Sequence, residues 1–225
     1  MKEQSRTRLQ FGFAIATAAM LYVQAAHAGI LASRPSTTDI IDWGQYGSPY
    51  TTIPNGSSFT STGGETGKVS YASGDGQLRQ QNSGWYGNFA NGDNVNWTAY
   101  NGPLTLMFNE SFSQVGAQIQ ADLYGNFTAG IAAYDGGTLL GSYMESGTSS
   151  SNADNSAIFI GVSDSTADIT SVTFSITGSG DFAINQVSLV GGSAPTPTPE
   201  PGSLALLAAG LLGIGLARRF RSAAR

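Results

Sequence analysis

Residues 112–144 read FSQVGAQIQADLYGNFTAGIAAYDGGTLLGSYM, and two runs in this stretch alternate apolar with polar or small residues. The alternating positions are Val115, Ala117, Ile119 and Ala121 in the first run, and Phe127, Ala129, Ile131 and Ala133 in the second. A period of two residues is typical of a β-strand with one buried face. Tyr124-Gly125-Asn126 joins the two runs, and Asp135-Gly136-Gly137 leads into TLLGSYM, so the stretch predicts two consecutive β-hairpins.

The same period continues toward the C-terminus in SAIFIGVS (156–163), ITSVTFSI (169–176) and DFAINQVSLV (181–190). In the last of these, the apolar phase shifts by one residue between Ile184 and Val187, which predicts a β-bulge near Asn185-Gln186. Weaker strand candidates precede residue 112: TDIIDW (38–43), GKVSYA (67–72), QLRQQ (77–81), VNWTAY (95–100) and PLTLMF (103–108). No helical stripe occurs from residue 29 to residue 190. The pattern predicts an all-β fold, a β-sandwich of roughly ten to twelve short strands over residues 29–190.

The composition supports a turn-rich β-protein, with 30 glycines and only 11% charged residues in 225. The basic residues concentrate at the two ends of the chain. Between residues 29 and 199, thirteen acidic residues stand against three basic ones, which leaves a net charge of −10. Nucleic acid is therefore excluded as a partner of the middle section, because phosphate binding needs clustered cations.

Two residue types that dominate enzyme and metal chemistry are nearly absent. The chain has no cysteine, which excludes disulfides, thiolate nucleophiles and Cys-bound zinc. The only histidine is His27, so a domain that begins after it lacks imidazole bases and imidazole metal ligands.

Residues 1–28 have the three parts of a secretory signal peptide. A basic start with Lys2, Arg6 and Arg8 precedes the apolar run FGFAIATAAMLYV (11–23), and the small residues Ala26 and Ala28 follow. This layout predicts a signal helix, export through the Sec translocon and cleavage by signal peptidase after Ala28. As a helix the apolar run spans only roughly 20 Å, which is short for an uncleaved anchor.

The C-terminus has a comparable architecture. A Gly/Ser/Pro/Thr linker at 191–198 precedes Pro199-Glu200-Pro201, an apolar stretch at 204–217 and the basic residues Arg218, Arg219 and Arg221. The apolar stretch would span roughly 20 Å as a short transmembrane helix, with the arginines on the cytoplasmic side. A simple anchor that stays in the inner membrane is one interpretation of this segment.

The tripeptide, the short helix and the arginine cluster at residues 199–225 together closely resemble the PEP-CTERM sorting signal of Gram-negative bacteria. The resemblance implies processing by an exosortase, a membrane transpeptidase that cuts near the tripeptide. It further implies tethering to the inner membrane before release to the cell surface or to an extracellular polysaccharide matrix.

Four short motifs resemble the second half of jelly-roll domains that often precede this signal, which are similar in outline to galactose-binding-like sandwiches. They are Tyr124-Gly125-Asn126-Phe127, Ala133-Tyr134-Asp135-Gly136-Gly137, Phe159-Ile160-Gly161-Val162 and Asp181-Phe182-Ala183-Ile184-Asn185. Asn185 stands where the common form has Asp. The resemblance implies a jelly-roll-like sandwich and does not identify a ligand.

The aromatic cluster in SGWYGNFANGDN (83–94) is the strongest candidate for a binding site. Trp85, Tyr86 and Asn88, with Trp97 beyond, combine flat rings with an amide, which suits stacking on a sugar and bonding its hydroxyls. Phe89 and Tyr100 accompany them. The same rings could equally pack in a core, since aromatic side chains contribute most to cores.

Acidic residues offer weaker candidates. Asp154-Asn155 and the stretch 91–94 are rich in oxygen ligands for calcium, but neither has the spacing of a known calcium loop, so we assign no metal ligands. Glu65, Glu110 and Glu145 could supply paired carboxylates for glycoside hydrolysis, yet nothing in the sequence places two of them across a cleft. We therefore expect a non-catalytic structural or adhesive protein without a cofactor. A carbohydrate-binding module is the alternative, and a glycan hydrolase is a more distant one.

Overall fold

The computed structural model describes residues 28–178 and 180–191. The signal helix, the linker, Ala26, the motif Pro199-Glu200-Pro201, the 204–217 helix and the arginines at 218, 219 and 221 lie outside the described residues. One short 3₁₀ helix, Trp43–Tyr46, accompanies fourteen strands among the described residues. The strands are β1 Gly29–Leu31, β2 Ile40–Ile41, β3 Thr52–Ile53, β4 Ser58–Thr60, β5 Thr66–Tyr71, β6 Gly76–Gln81, β7 Gly84–Trp85, β8 Asn94–Trp97, β9 Leu104–Ala121, β10 Gly125–Asp135, β11 Thr138–Ser149, β12 Ile158–Ser163, β13 Ile169–Thr177 and β14 Phe182–Gly191.

Strand β9 organises the fold because its two halves belong to different layers. Its first half lies between β5 and β13 in the first layer. This layer continues from β13 through β10 to β11 on one side, and from β5 to β4 on the other. Its second half lies between β12 and β14, and this layer continues outward to β1 on one side and to β8, β6 and β3 on the other. The last strand, β14, is therefore an internal strand, and β2 also pairs with it. Among these pairs only β6 and β7 run parallel.

The middle of β9 explains how one strand serves two layers. Its buried positions run through Leu104, Leu106, Phe108 and Phe112, and then change phase at Val115. Residues 109–111, Asn-Glu-Ser, are exposed, and the register against β13 shifts here. A bulge of this kind bends a strand and increases its twist, which carries β9 from one layer into the other.

The core lies between the two layers. Buried side chains from the first layer (among them Val69, Leu106, Ile131 and Phe174) and from the second layer (Val115, Ile119, Ile160, Ile184 and Leu189) form one cluster. Trp43 is fully buried at its edge, and its indole Nε1 donates to the backbone oxygen of Asn185 at 2.8 Å. The all-β sandwich is confirmed.

Several details of the sequence prediction are confirmed and others are wrong. The hairpin through Asp135-Gly136-Gly137 joins β10 and β11, and the register of β14 shifts between Ile184 and Val187, as the apolar phase predicts. The first predicted hairpin is wrong, because β13 lies between β9 and β10. The strands are also more numerous than predicted, and β9 to β11 have 11 to 18 residues rather than being short. PLTLMF and FSQVGAQIQAD are one strand, because the polar residues between them form a bulge instead of a turn.

Candidate functional site

The segment 82–93 covers the outer face of the second layer. Trp85 and Phe89 of this segment pack with Val95, Ala157 and Ala183 into a small second core, and the two aromatic rings lie 6.2 Å apart. Trp85 is only 5% exposed, so its ring has no free face for a ligand. This burial anchors the segment to the sheet.

A buried amide pair fixes the same segment to β9. Gln120 is 1% exposed, and its Oε1 accepts from the backbone N of Asn88 at 2.7 Å and from Trp85 Nε1 at 3.3 Å. Its Nε2 donates to Asn88 Oδ1 at 3.0 Å, to Ser149 Oγ at 2.7 Å and to the Ser150 oxygen. The Asn88 amide in turn donates to Ser150, Asp154 and Ser156. Gln120 and Asn88 therefore act as a structural bracket under the segment.

Beside this bracket, four exposed tyrosines lie near one another on the protein surface. They are Tyr50, Tyr86, Tyr100 and Tyr124, each between 57% and 68% exposed, and we call them the tyrosine surface. Tyr124 reaches Tyr86 directly, since its hydroxyl donates to the Tyr86 backbone oxygen at 2.7 Å. Gly84, two residues before Tyr86, lies against the Tyr50 ring, where a Cβ would be only 2.9 Å away.

Arg79 connects the other members of the tyrosine surface. Its guanidinium carbon lies 4.4 Å from the centre of the Tyr50 ring and 4.6 Å from the Trp97 ring. Trp97 then meets Tyr100 edge to face, with 5.9 Å between ring centres. A cation between two ring faces is held by both quadrupoles, so this stack keeps Tyr50 and Trp97 in fixed positions.

The backbone under the tyrosine surface is strained. Tyr50 and Tyr100 have φ of 76° and 64°, and Ala99 has 51°, in the left-handed region that bulky residues avoid. Three buried polar atoms nearby, Gln77 Oε1, Arg79 Nε and Trp97 Nε1, have no hydrogen-bond partner within the described part of the chain. Strain of order 1–3 kcal/mol per residue and unpaired buried groups concentrate at sites that serve binding rather than stability.

Asp122 gives the tyrosine surface a titratable group. Burial raises the pKa of Asp122, the charge of Asp181 raises it further, and Arg79 and a hydrogen bond from Tyr100 act in the opposite direction. The site thus combines aromatic faces with a cation, a carboxylate and hydroxyls. That set can stack on an apolar ring and exchange hydrogen bonds with its substituents.

The structure divides the residues that the sequence singled out. Tyr86 belongs to the tyrosine surface and the half-buried Trp97 packs against Tyr100 of that surface, whereas Trp85 and Asn88 are buried beneath it. Tyr50, Tyr124 and Arg79 are site residues that the sequence pattern does not predict. Tyr50 follows Ser48-Pro49 and Tyr124 precedes Gly125, and an aromatic residue in such a turn sequence is the signal that could have identified them.

The acidic candidates do not assemble into a metal site in the described residues, which contain no group of three or more His, Cys, Asp or Glu placed to hold a metal. Hydrogen bonds from Ser156 and Asn88 hold Asp154 and lower its pKa. Asp93 accepts from Asn185 at 3.0 Å. Of the three glutamates, Glu145 lies in β11, three strands away from β9, which contains Glu110, while Glu65 immediately precedes β5.

Comparison with known sequences identifies the C-terminus. Residues 197–221 match the PEP-CTERM protein-sorting motif, so the chain carries the sorting signal of an exported protein that an exosortase processes at the membrane. No curated protein matches the chain. In the ranges 28–178 and 180–191, no helix is both long and apolar enough to cross a membrane.

Proposed function

We propose that this protein is a non-catalytic, adhesive component of an extracellular polysaccharide matrix, and that the tyrosine surface binds the glycan. The proposal combines the sorting motif with a β-sandwich whose exposed aromatic rings lie on one face. The strained φ angles of Tyr50 and Tyr100 are the observation that carries it, because both residues are held in that conformation although their rings are exposed and add little to the core.

Tyrosine suits this task. It supplies a large, rigid contact area with a hydroxyl at its tip, and ordering it costs little conformational entropy. The Arg79 stack restrains two of the rings before a ligand arrives, which reduces the cost of binding. In the proposed complex, sugar rings stack on the tyrosines and their hydroxyls bond Asp122 and Arg79.

The binding test uses the full chain and the purified extracellular polysaccharide of the producing bacterium. Tyr50→Asn and Tyr100→Asn remove the rings but keep a residue that tolerates positive φ, so the free energy of unfolding should fall by no more than about 1 kcal/mol, the worth of an exposed ring contact. We expect retardation in a polysaccharide-containing native gel to decrease at least about tenfold in each variant. Met144→Asn is the matched control, since Met144 is 66% exposed on β11 in the other layer. Equal retardation of all four proteins would rule out the tyrosine surface.

A second experiment tests export and processing. We propose that the Sec translocon and signal peptidase act at the N-terminus, and that the protein finally lies at the surface of a Gram-negative cell or in its matrix. Intact mass of the native protein should give a species that begins at Gly29 and ends near residues 199–201, outside the inner membrane. A species that retains residues 204–225 and stays in the inner membrane would contradict the matrix location.

The same preparation should release no reducing sugar from the polysaccharide, because we propose no catalytic role.

A further inference from the structure

A second polar site lies on the same face as the tyrosine surface. It is a cleft of about 480 Å³ between residues 32–34, the end of the 82–93 segment and β9, and we call it the Arg34 cleft. Its lining includes Arg34, Asp93, Gln118, Asn155, Phe159 and Asn185. None of these side chains contributes to the tyrosine surface.

Asn185 is the centre of the cleft floor. Although 1% exposed, it makes four hydrogen bonds: its Oδ1 accepts from Arg34 Nη2 at 3.2 Å and from the Gln118 backbone N at 3.1 Å. Its Nδ2 donates to Asp93 at 3.0 Å and to Gln118 Oε1 at 2.7 Å. A fully bonded buried amide of this kind fixes the groups above it.

Arg34 is held by neutral partners. Nη2 is its only donor to the described residues, and it bonds the two amides, Gln118 Oε1 at 3.3 Å and Asn185. Burial lowers the pKa of Arg34 while the Asp93 charge opposes this effect, and the guanidinium remains protonated. Its Nε and Nη1 groups therefore remain as donors for a ligand.

The chemistry of the cleft favours a neutral ligand with hydroxyl groups. Arg34 offers donors, Asp93 offers an acceptor, and the Asn155 amide can do both. Phe159 adds a half-buried ring that lies over the backbone of Gly116 and Gly161, where a Cβ on either glycine would collide with it. Asp93 and the net charge of −10 across residues 29–199 oppose a polyanion.

Strand β9 links the cleft to the tyrosine surface. Gln118 lies in the cleft and Gln120 under the 82–93 segment, at alternate positions of β9 that share one face. Asp122, beside Tyr100, directly follows the last residue of β9. Gln118 and Asp122 are four positions apart, which is about 13 Å of extended chain. We infer that the Arg34 cleft and the tyrosine surface are two subsites of one binding face, whose ligand is a chain of neutral sugar residues rather than a single sugar.

This inference rests on the proposed glycan binding and deepens it. Two linked subsites bind a polymer more tightly than either alone, because the second contact forms at high effective concentration. Arg34→Ala should therefore weaken binding of the full polysaccharide at least about tenfold, because the variant loses the charged hydrogen bonds of Arg34 to the ligand. Fragments too short to reach both subsites bind one subsite at a time, so their binding to the tyrosine surface should not change in Arg34→Ala.

The experiment measures binding of the full chain and its variants to the purified native polysaccharide and to size-fractionated fragments, by calorimetry. Lys68→Ala is the control, because it removes an equal charge from the exposed side of β5 in the other layer. Asn155→Gly is a second cleft variant that keeps the positive φ of 62° and should also weaken polymer binding. Thermal unfolding of each variant checks the fold.

The outcomes separate the two proposals. Weaker polymer binding by both cleft variants, with unchanged binding of short fragments to the tyrosine surface, supports the inference. If Arg34→Ala and Asn155→Gly bind the polymer like wild type while Tyr50→Asn does not, the cleft is not a subsite and the tyrosine surface stands alone. A wild-type chain that does not bind the polysaccharide overturns both proposals. Binding that weakens steeply with added salt would overturn the neutral character of the ligand.

Discussion

Gln120 provides the sharpest test of how the tyrosine surface is held in place. Gln120→Leu keeps the volume of the side chain nearly constant and removes its five hydrogen bonds. Two donors lose the only partner they have in the described structure, the Trp85 indole Nε1 and the backbone N of Asn88. Each buried donor left unpaired costs about 1–3 kcal/mol, so the free energy of unfolding should fall by about 2–6 kcal/mol.

Urea unfolding followed by tryptophan fluorescence measures this change, because Trp85 lies at the perturbed site. Gln114→Leu is the matched control: the same substitution on the same strand, at a residue that makes no side-chain hydrogen bond to the described residues. It should change the free energy of unfolding by less than about 1 kcal/mol. A Gln120→Leu protein as stable as the control would refute the bracket role that we assign to Gln120 and Asn88.

Three further perturbations follow from the same contacts. Trp85→Ala should lower the free energy of unfolding, measured with urea, by about 3–5 kcal/mol, since the ring is buried. A variant that loses glycan binding but melts like wild type would contradict this expectation. Asn185→Asp should destabilise the protein at neutral pH by about 2–5 kcal/mol, because a carboxylate cannot donate hydrogen bonds to Asp93 and Gln118. This loss of stability should become smaller in acid, where the carboxyl group is protonated. A loss that does not depend on pH would be inconsistent with that cause. Burial and Asp181 raise the pKa of Asp122 in the folded chain, so its ionisation opposes folding and stability is lost as pH rises through that pKa. Asp122→Asn should therefore have a higher melting temperature than wild type at pH 7. At about pH 3, below the ordinary aspartate pKa, the two proteins should melt at the same temperature, and a difference that persists there would contradict the assignment.

The strand assignments show where sequence reasoning succeeds. Val115, Ala117, Ile119 and Ala121 alternate in the sequence and are buried in the structure, because one face of a strand determines both properties. The bulge at 185–186 was equally visible, since a change of phase is a local signal. Pairing is not local: the intervention of β13 between β9 and β10 depends on residues about fifty positions away. The sequence around Gly125 predicts a turn correctly, but a turn sequence does not specify whether the two strands that it connects pair with each other.

The site was only partly predictable for a related reason. An aromatic residue in a Gly/Asn-rich segment can face solvent or a core, and Trp85 and Tyr86 are neighbours with opposite outcomes. The difference arises because Gln120 and Val95, from other strands, contact the Trp85 ring and bury it. Tyr50, which precedes β3, joins the site through its contacts with Arg79 of β6 and with Gly84 of β7. Such juxtapositions arise from the tertiary fold and leave no mark in the local sequence.

The internal position of β14 has a consequence for the timing of export. The second layer cannot close until residues 182–191 arrive between β9 and β8, and these are the last residues before the linker. Only five residues separate Gly191 from the start of the sorting motif at 197, and these six steps reach at most about 22 Å. The chain must therefore be almost entirely across the membrane before its domain can finish folding. An exosortase that processes the sorting motif then works within a short tether of a newly completed domain, and a chain that stalls in folding would present an open edge of β9 at the membrane.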